Sequence, residues 1–144
     1  MAYTLPSALL ANGSLNLSAV DAVTGEVLWS HVQENVCGDG RPFCDPGVSA
    51  AITATDGAVI AGHLDGIIRI YDRDSGEIIW SYNTTTPVTG TNGVIAQGGG
   101  MSGSGPALGA GHMVINSGYG LYNHEAGNAL LVFAPKASGS VSAR

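Results

Sequence analysis

Short apolar bursts alternate with polar turn residues along most of this chain. Between residues 48 and 82 the bursts Ala58-Val59-Ile60-Ala61, Ile67-Ile68-Arg69-Ile70-Tyr71 and Ile78-Ile79-Trp80 are punctuated by Asp56-Gly57, Asp65-Gly66 and Asp74-Ser75-Gly76. Runs of this length bounded by Asp-Gly and Ser-Gly pairs predict β-strands joined by tight turns. The expected strands lie near Val48 to Ala54, Ala58 to Gly62, Ile67 to Asp72 and Glu77 to Tyr82. Val27-Leu28-Trp29 and Ile78-Ile79-Trp80 are apolar on consecutive positions, so both faces of those strands are expected to be covered. A sheet with one wet face would alternate instead.

The stretch Tyr71 to Ser81 occurs twice. Asp21, Gly25, Glu26, Trp29 and Ser30 match Asp72, Gly76, Glu77, Trp80 and Ser81, with Thr24 where Ser75 stands, at an offset of 72 − 21 = 51 residues. Asp21 and Asp72 are placed to accept hydrogen bonds from amides further round their turns, and Gly25 and Gly76 supply the positive φ that closes them. Trp29 and Trp80 suit wedging between stacked sheets, because an indole has a large body to pack and one N–H to satisfy. A self-similar period of this size, one turn-bounded strand pair per unit, predicts a propeller blade or another stacked β repeat. Two unrelated hairpins are the alternative. On the first reading the chain is all-β, built of antiparallel four-stranded blades, with about two and a half blades present.

The units divide the chain as follows. Residues 1–30 form a partial blade, with strands at Ala8 to Ala11 and Leu15 to Ala19 flanking an Asn12-Gly13 turn and a further strand at Val27 to His31. Residues 31–47 form a cysteine loop, 48–82 the complete blade, and 83–104 a glycine-rich loop that is long for a plain connection. Residues 105–134 form a partial last blade, with strands near Gly105 to Gly109, His112 to Ser117 and Asn128 to Ala134, and 135–144 a small polar tail. Propellers close with about four to eight blades, so this chain is expected to need the remaining blades of a longer propeller, or self-association.

Composition narrows the functional classes. A formal charge of −6 with only five Lys and Arg leaves no basic stretch to track a phosphate backbone, which argues against nucleic acid as a partner. No apolar run reaches the roughly 18 residues of a membrane span, and Met1 to Leu10 lacks the positive region of a signal peptide. Cys37 and Cys44 are seven positions apart in a loop rich in Gly, Asp and Pro. That spacing can close a small disulfide loop, implying an oxidising compartment, with a reduced pair as the alternative. A metal site lacks a second Cys or His pair at ligand spacing, and none is expected.

Candidate chemistry is sparse. The Gly98 to Gly105 stretch can bring backbone close to a flat cofactor, with a flexible turn as its plain reading, and Ser49 and Ser104 open inner strands beside it. Tri-glycine without a following Gly-Lys-Ser/Thr is not a phosphate loop. Tyr119, Tyr122 and His124 lie in a loop placed to rim a pocket, but His124 and Glu125 are adjacent and poorly placed to share a proton, which favours a solvated loop. His31, His63 and His112 sit at strand ends without ligand spacing, and Asp21, Asp56, Asp65 and Asp72 are accounted for by turns. Asn-x-Ser/Thr at Asn12, Asn16 and Asn83 is expected by chance in so Ser/Thr-rich a chain.

The Asp-x-x-Ser/Thr-Gly-x-x-x-Trp unit resembles the tryptophan-docking motif of pyrroloquinoline quinone (PQQ) dehydrogenases, which have eight-bladed propellers. Three further segments, in order, look like the C-terminal portion of the polyvinyl alcohol dehydrogenase branch: Cys37 to Cys44 leading into Ser49-Ala50-Ala51-Ile52-Thr53, then Leu64 to Asp72, then Gly98 to Pro106 leading to Asn116 to Gly120 and Gly127 to Ala134. The likeness implies a periplasmic or secreted quinoprotein that oxidises alcohols with PQQ and calcium, the protein orienting and polarising the cofactor. It implies that Gly100, Met101 and Ser102, with Ser49, lie where related enzymes bring a loop under the quinone. The family's catalytic carboxylate and calcium ligands lie mainly on preceding blades and match no residue here. Its quinone-stacking disulfide joins adjacent cysteines, so Cys37 and Cys44 look like a loop staple. A non-catalytic scaffold of the same blades, as in outer-membrane assembly lipoproteins, and a truncated gene product are the rival readings.

Overall fold

The two copies of the docking turn adopt the same hydrogen-bonded geometry. Asp21 Oδ1 accepts from the amides of Val23 and Thr24, each at 2.8 Å, and Asp72 Oδ1 accepts from Asp74 and Ser75 at 3.0 and 2.8 Å. Gly25 and Gly76 close the turns with φ of 76° and 74° and donate back to the Asp21 and Asp72 carbonyls. Positive φ at these two points is what the sequence needs glycine for. Both exposed carboxyl groups are held below the usual carboxylate range, chiefly by the amides of Thr24 and Ser75 respectively.

From these turns the strands follow. The computed structural model describes residues 2–4, 15–119 and 123–135, and among them there is no helix. Strands β1 (Ala2–Thr4), β2 (Asn16–Val20) and β3 (Val27–Val32) form a first antiparallel sheet. Strands β4 (Thr53–Ala54), β5 (Ala58–Gly62), β6 (Ile67–Asp72) and β7 (Ile78–Asn83) form a four-stranded second sheet in sequence order. A ribbon of β8 (Val88–Thr89) and β9 (Ile95–Ala96) follows, and β10 (Ala107–Gly109), β11 (His112–Ser117) and β12 (Ala129–Phe133) form a third sheet. This is a run of consecutive meander blades, one of four strands and two of three among the described residues. The pairing irregularity between Ala19 and Val20 recurs between Ile70 and Tyr71, at the offset of the repeat.

Two expectations need correction, and a third falls outside the described residues. The strand described beside β2 is Ala2–Thr4, paired Ala2 to Val20, whereas Ala8 to Ala11 and Asn12-Gly13 lie outside the described residues, as does the tail from 136. The strand expected from Val48 shortens to Thr53–Ala54, because the preceding residues turn to the neighbouring blade: Ala51 N donates to Gly103 O, and Thr53 Oγ1 to Pro106 O. The glycine-rich loop contains the β8–β9 ribbon, turned at Gly90 to Gly93 by Gly93 N→Gly90 O.

Two apolar cores lie at the seams between sheets. Leu17, Ala19 and Trp29 of the first sheet meet Val59, Ala61 and Tyr71 of the second. Ile60 and Ile68 on the other face of the second sheet meet Met101, Met113 and Ile115. Strand β5 thus serves both cores with alternate residues, as a strand of period two must when covered on both faces. Trp29 seals the first seam: it is 9% exposed, its Nε1 donates to Arg73 O at 2.8 Å, and a Cβ on Gly76 would lie 2.5 Å from its ring.

The outer strands are less covered than their consecutive apolar residues predicted. Leu28 and Ile79 are both exposed, on the outer strands of their sheets. Trp80 is 37% exposed. It lies edge-on to Phe133, centroids 5.5 Å apart, at the rim of a cleft of roughly 640 Å³ between the second and third sheets that Ile60, Ile70, Met113 and Pro135 also line. The repeat predicts Trp80 wedged between sheets like Trp29, a burial worth roughly 3–5 kcal/mol on truncation. The structure transfers that cost to Trp29. Truncating Trp29 to Ala should cost roughly 3–5 kcal/mol, and truncating Trp80 only about 1–2 kcal/mol because much of its surface is already wet. Urea unfolding midpoints of the two variants should fall in that order.

Candidate functional site

Four connections leave the sheets from one end and pack on each other: residues 33–52, 63–66, 84–106 and the described parts of the β11–β12 loop, 118–119 and 123–128. The β5–β6 turn is fixed by Asp65, whose Oδ1 accepts from Ile67 N at 2.9 Å. Its carboxylate also takes a bidentate pair from Arg69, Nη1 to Oδ1 at 3.1 Å and Nη2 to Oδ2 at 2.7 Å, both side chains buried. Two charges taken out of water need this full pairing. The sequence accounted for Asp65 by its turn alone and missed Arg69, whose place as the polar residue in an otherwise apolar strand was the available signal.

The glycine-rich connection runs beneath the β11–β12 loop. Gly98 N donates to Thr84 O, Gly100 N to Glu125 O and Met101 N to His63 O, at 2.8, 2.8 and 3.0 Å. Buried Ser117 accepts from Gly99 N at 3.1 Å and lies 2.6 Å from the Thr84 hydroxyl. A Cβ on Gly100 would meet His124 Cβ and Leu64 O at 3.1 Å, and one on Gly99 would overlap the carbonyls of Glu125 and Ala126. The glycines at 99 and 100 therefore let the chain's own loop approach.

The site residues expected from sequence separate into two groups. Met101 is 3% exposed and packs with Ile60, Ile68, Met113 and Ile115, and Gly100 is buried behind it. Ser49 is exposed, and Ser102 is half-buried with an Oγ that has no partner. The Ala51 N→Gly103 O bond at 3.3 Å lays the segment after Ser49 alongside the one after Ser102. Hydroxyl donors free of protein partners on paired segments suit an anionic or carbonyl oxygen. Ser104 is exposed nearby. For a quinone such as PQQ, the orphaned Ser102 hydroxyl is the feature that fits. For calcium the residues do not fit: among the described residues no three His, Cys, Asp or Glu cluster to hold a metal ion.

The cysteine loop is a closed ring, Cys37 to Cys44, with Cα atoms 5.6 Å apart. The reduced alternative is thereby set aside. The β11–β12 loop is not uniformly solvated as expected: Tyr119 is exposed, but Glu125 pairs with Arg41 and His124 Nδ1 lies 3.6 Å from Asp45 Oδ2, while Tyr122 lies outside the described residues. The separation in sequence hid these pairs, although Arg41 is one of only five Lys and Arg in the chain.

His31 and His63 converge on Tyr71, which sequence did not foresee. His31 meets its ring edge-on at 5.2 Å, and the phenol lies 3.0 Å from His63 Nε2 and donates to Gln33 Oε1 at 3.2 Å. With the phenol proton given to Gln33, His63 carries its own proton on Nε2, leaving a buried Nδ1 without a partner. Burial, then the Arg69 charge and His31, hold His63 well below its ordinary value, and burial pushes Tyr71 up to about 12. Both groups thus stay neutral at physiological pH. An unfolded His63 takes up a proton below about pH 6.5 and the folded one does not, so stability from this site is full above that pH and is lost as pH falls below it. At the alkaline end, stability is lost as pH rises above about 10, where only the unfolded tyrosine ionises. Urea midpoints between pH 7.5 and 5.5 should fall in the parent and flatten in His63→Gln.

With this geometry in view, comparison with known proteins gives a consistent result. The family model PQQ_2, described as "Outer membrane protein assembly factor BamB", matches residues 7–138. Over 118 residues, 80% of this chain, the sequence is 37% identical to the polyvinylalcohol dehydrogenase of Sphingopyxis sp. (strain 113P3), of which it covers 18%. Over 101 residues, 64% of the chain, it is 37% identical to a polyvinylalcohol dehydrogenase of a Pseudomonas sp., of which it covers 16%. A third relative, the quinohemoprotein alcohol dehydrogenase ADH IIB of Pseudomonas putida, is 35% identical over 69 residues, 48% of the chain and 10% of that protein. The chain thus spans less than a fifth of the length of these relatives. Repeated docking turns, sheets stacked in meander order and a family match across most of the sequence lead to one conclusion: this chain belongs to the PQQ_2 family of β-propeller repeats.

Proposed function

We propose that the chain supplies consecutive C-terminal blades of a quinoprotein alcohol dehydrogenase propeller acting on primary or secondary alcohols, polyvinyl alcohol among them, and does not turn over substrate alone. The observation that carries this reading is the 37% identity to polyvinylalcohol dehydrogenases over 118 residues that make up only 18% of the relative. In this role Ser49 and Ser102 present hydroxyls to PQQ, while Gly100 and Met101 form the wall behind them. When bound, the quinone accepts the hydride of the alcohol; these residues bind and orient it. Calcium and the general base come from elsewhere in the propeller. The disulfide supports a periplasmic or secreted location.

The open blade faces support the same partner requirement. Leu130 and Val132 on β12 are 62% and 60% exposed, and Val27 and Leu28 on β3 are also exposed. Remaining blades cover these faces in the complete propeller, and self-association covers them otherwise. Light scattering on the isolated chain should show association at high concentration; a stable monomer there would count against this. Dye-reduction assays with PQQ, calcium and an alcohol should give no turnover for the chain alone, and robust turnover would show that no further blades are needed.

A second reading is favoured by the description of the matching family, an outer-membrane assembly factor. In it the blades are a non-catalytic scaffold for other proteins. Calorimetric titration of PQQ into a complete propeller containing this segment separates the two. Ser102→Ala should weaken quinone binding several-fold on the dehydrogenase reading, and no binding by the parent would leave the scaffold.

A further inference from the structure

The connection from β3 to β4 touches two blades at once. Arg41 Nη2 donates to the Asp65 carbonyl at 3.0 Å in the β5–β6 turn and pairs with the Glu125 carboxylate in the β11–β12 loop. Two residues on, Phe43 O accepts from Glu125 N at 2.8 Å, with Phe43 in the left-handed region at φ 64°. Asp45 lies beside His124, and Gly47 O accepts from Leu64 N at 2.9 Å. Arg41 and Phe43 both lie inside the ring closed by Cys37 and Cys44.

Three layers result. The cysteine ring holds Glu125, and 124–126 in turn hold Gly99 and Gly100 through the Gly100 N→Glu125 O bond and through contacts that would clash with a Cβ at Gly99 and crowd one at Gly100. Glu125 retains only 20% of its side-chain exposure, so without Arg41 its carboxylate would be left partly desolvated and unpaired. Its escape to water would carry the backbone over Gly100 with it. A left-handed Phe43 is an uncommon conformation for a bulky residue, and here it is what aims the Phe43 carbonyl at Glu125 N.

We propose that Arg41, held in place by the Cys37–Cys44 ring, is the positioning residue of the Gly98–Ser102 segment. It acts through Glu125 and does not touch the cofactor. Its significance for catalysis rests on the reading that Ser102 meets the quinone; its structural action does not. Reduction of the ring should loosen the same segment, linking cofactor competence to an oxidising compartment.

Amide hydrogen exchange on the intact chain tests this. Arg41→Met should speed exchange at Gly100 and Glu125 at least tenfold and leave Ile60 and Ile70, in the centre of the second sheet, unchanged. Arg41→Lys, which keeps the charge beside Glu125, should restore most of the protection. Dithiothreitol on the parent chain should reproduce the local pattern of Arg41→Met without any substitution. Unchanged exchange at Gly100 in both Arg41→Met and the reduced parent would overturn the proposal, as would a uniform loss of protection across all three sheets. PQQ titration of the complete propeller then separates the two readings. A local tenfold effect with quinone affinity unaltered supports the positioning role and overturns the cofactor role of the segment.

Discussion

The packing of the Trp29 indole against the turn that carries Gly76 is the contact on which the arrangement of the first two sheets depends. It needs three features together: an aspartate to organise the turn, a residue without Cβ where the ring lies, and a carbonyl at Arg73 to take the indole proton. Each belongs to one blade and the tryptophan to the other. Sheets stacked face to face without such a fastening could slide or rotate on a smooth apolar seam. Here one aromatic ring sets both the spacing and the angle, and the Leu17, Val59 and Tyr71 packing follows from it.

The same motif explains why the second tryptophan differs. Trp80 has the same strand position but meets Phe133, at a cleft that Ala134 and Pro135 also line, where Trp29 meets the turn carrying Gly76. Residues from Pro135 onward lack the Asp-x-x-Ser/Thr-Gly spacing of the earlier units. Repeat similarity located both tryptophans, but the environment of each is decided by the following blade. A sequence read unit by unit assigns equal roles to residues whose partners differ.

Local chemistry was legible where it is local. The Asp, Ser or Thr, and Gly of each turn act within five residues, and strands β5, β6 and β11 have the bounds expected from their apolar runs and flanking turns. The blade count and the disulfide were legible for the same reason. Contacts between loops were not: Arg41 to Glu125 spans 84 positions, Tyr71 to Gln33 spans 38, and Ser117 to Thr84 spans 33. Met101 illustrates the limit in the other direction. The family resemblance placed it in a loop near the quinone, and what no local pattern announced is that its side chain fills the second seam. Glycines at 99 and 100 serve a close approach of backbone, as their sequence suggested, but the approaching chain is the protein's own.

Strand β5 contributes Val59 and Ala61 to one seam and Ile60 to the other. The middle sheet is consequently a shared wall, and the two seams cannot be repacked independently: a displacement of this strand by one residue would exchange the side chains offered to each neighbour. Opening free energies should be graded outward from it, with the middle sheet the last to yield and the half-covered outer strands the first. Such a gradient gives the chain a direction of disassembly. In a closed ring of blades the same gradient would vanish, since every sheet would then be a middle one.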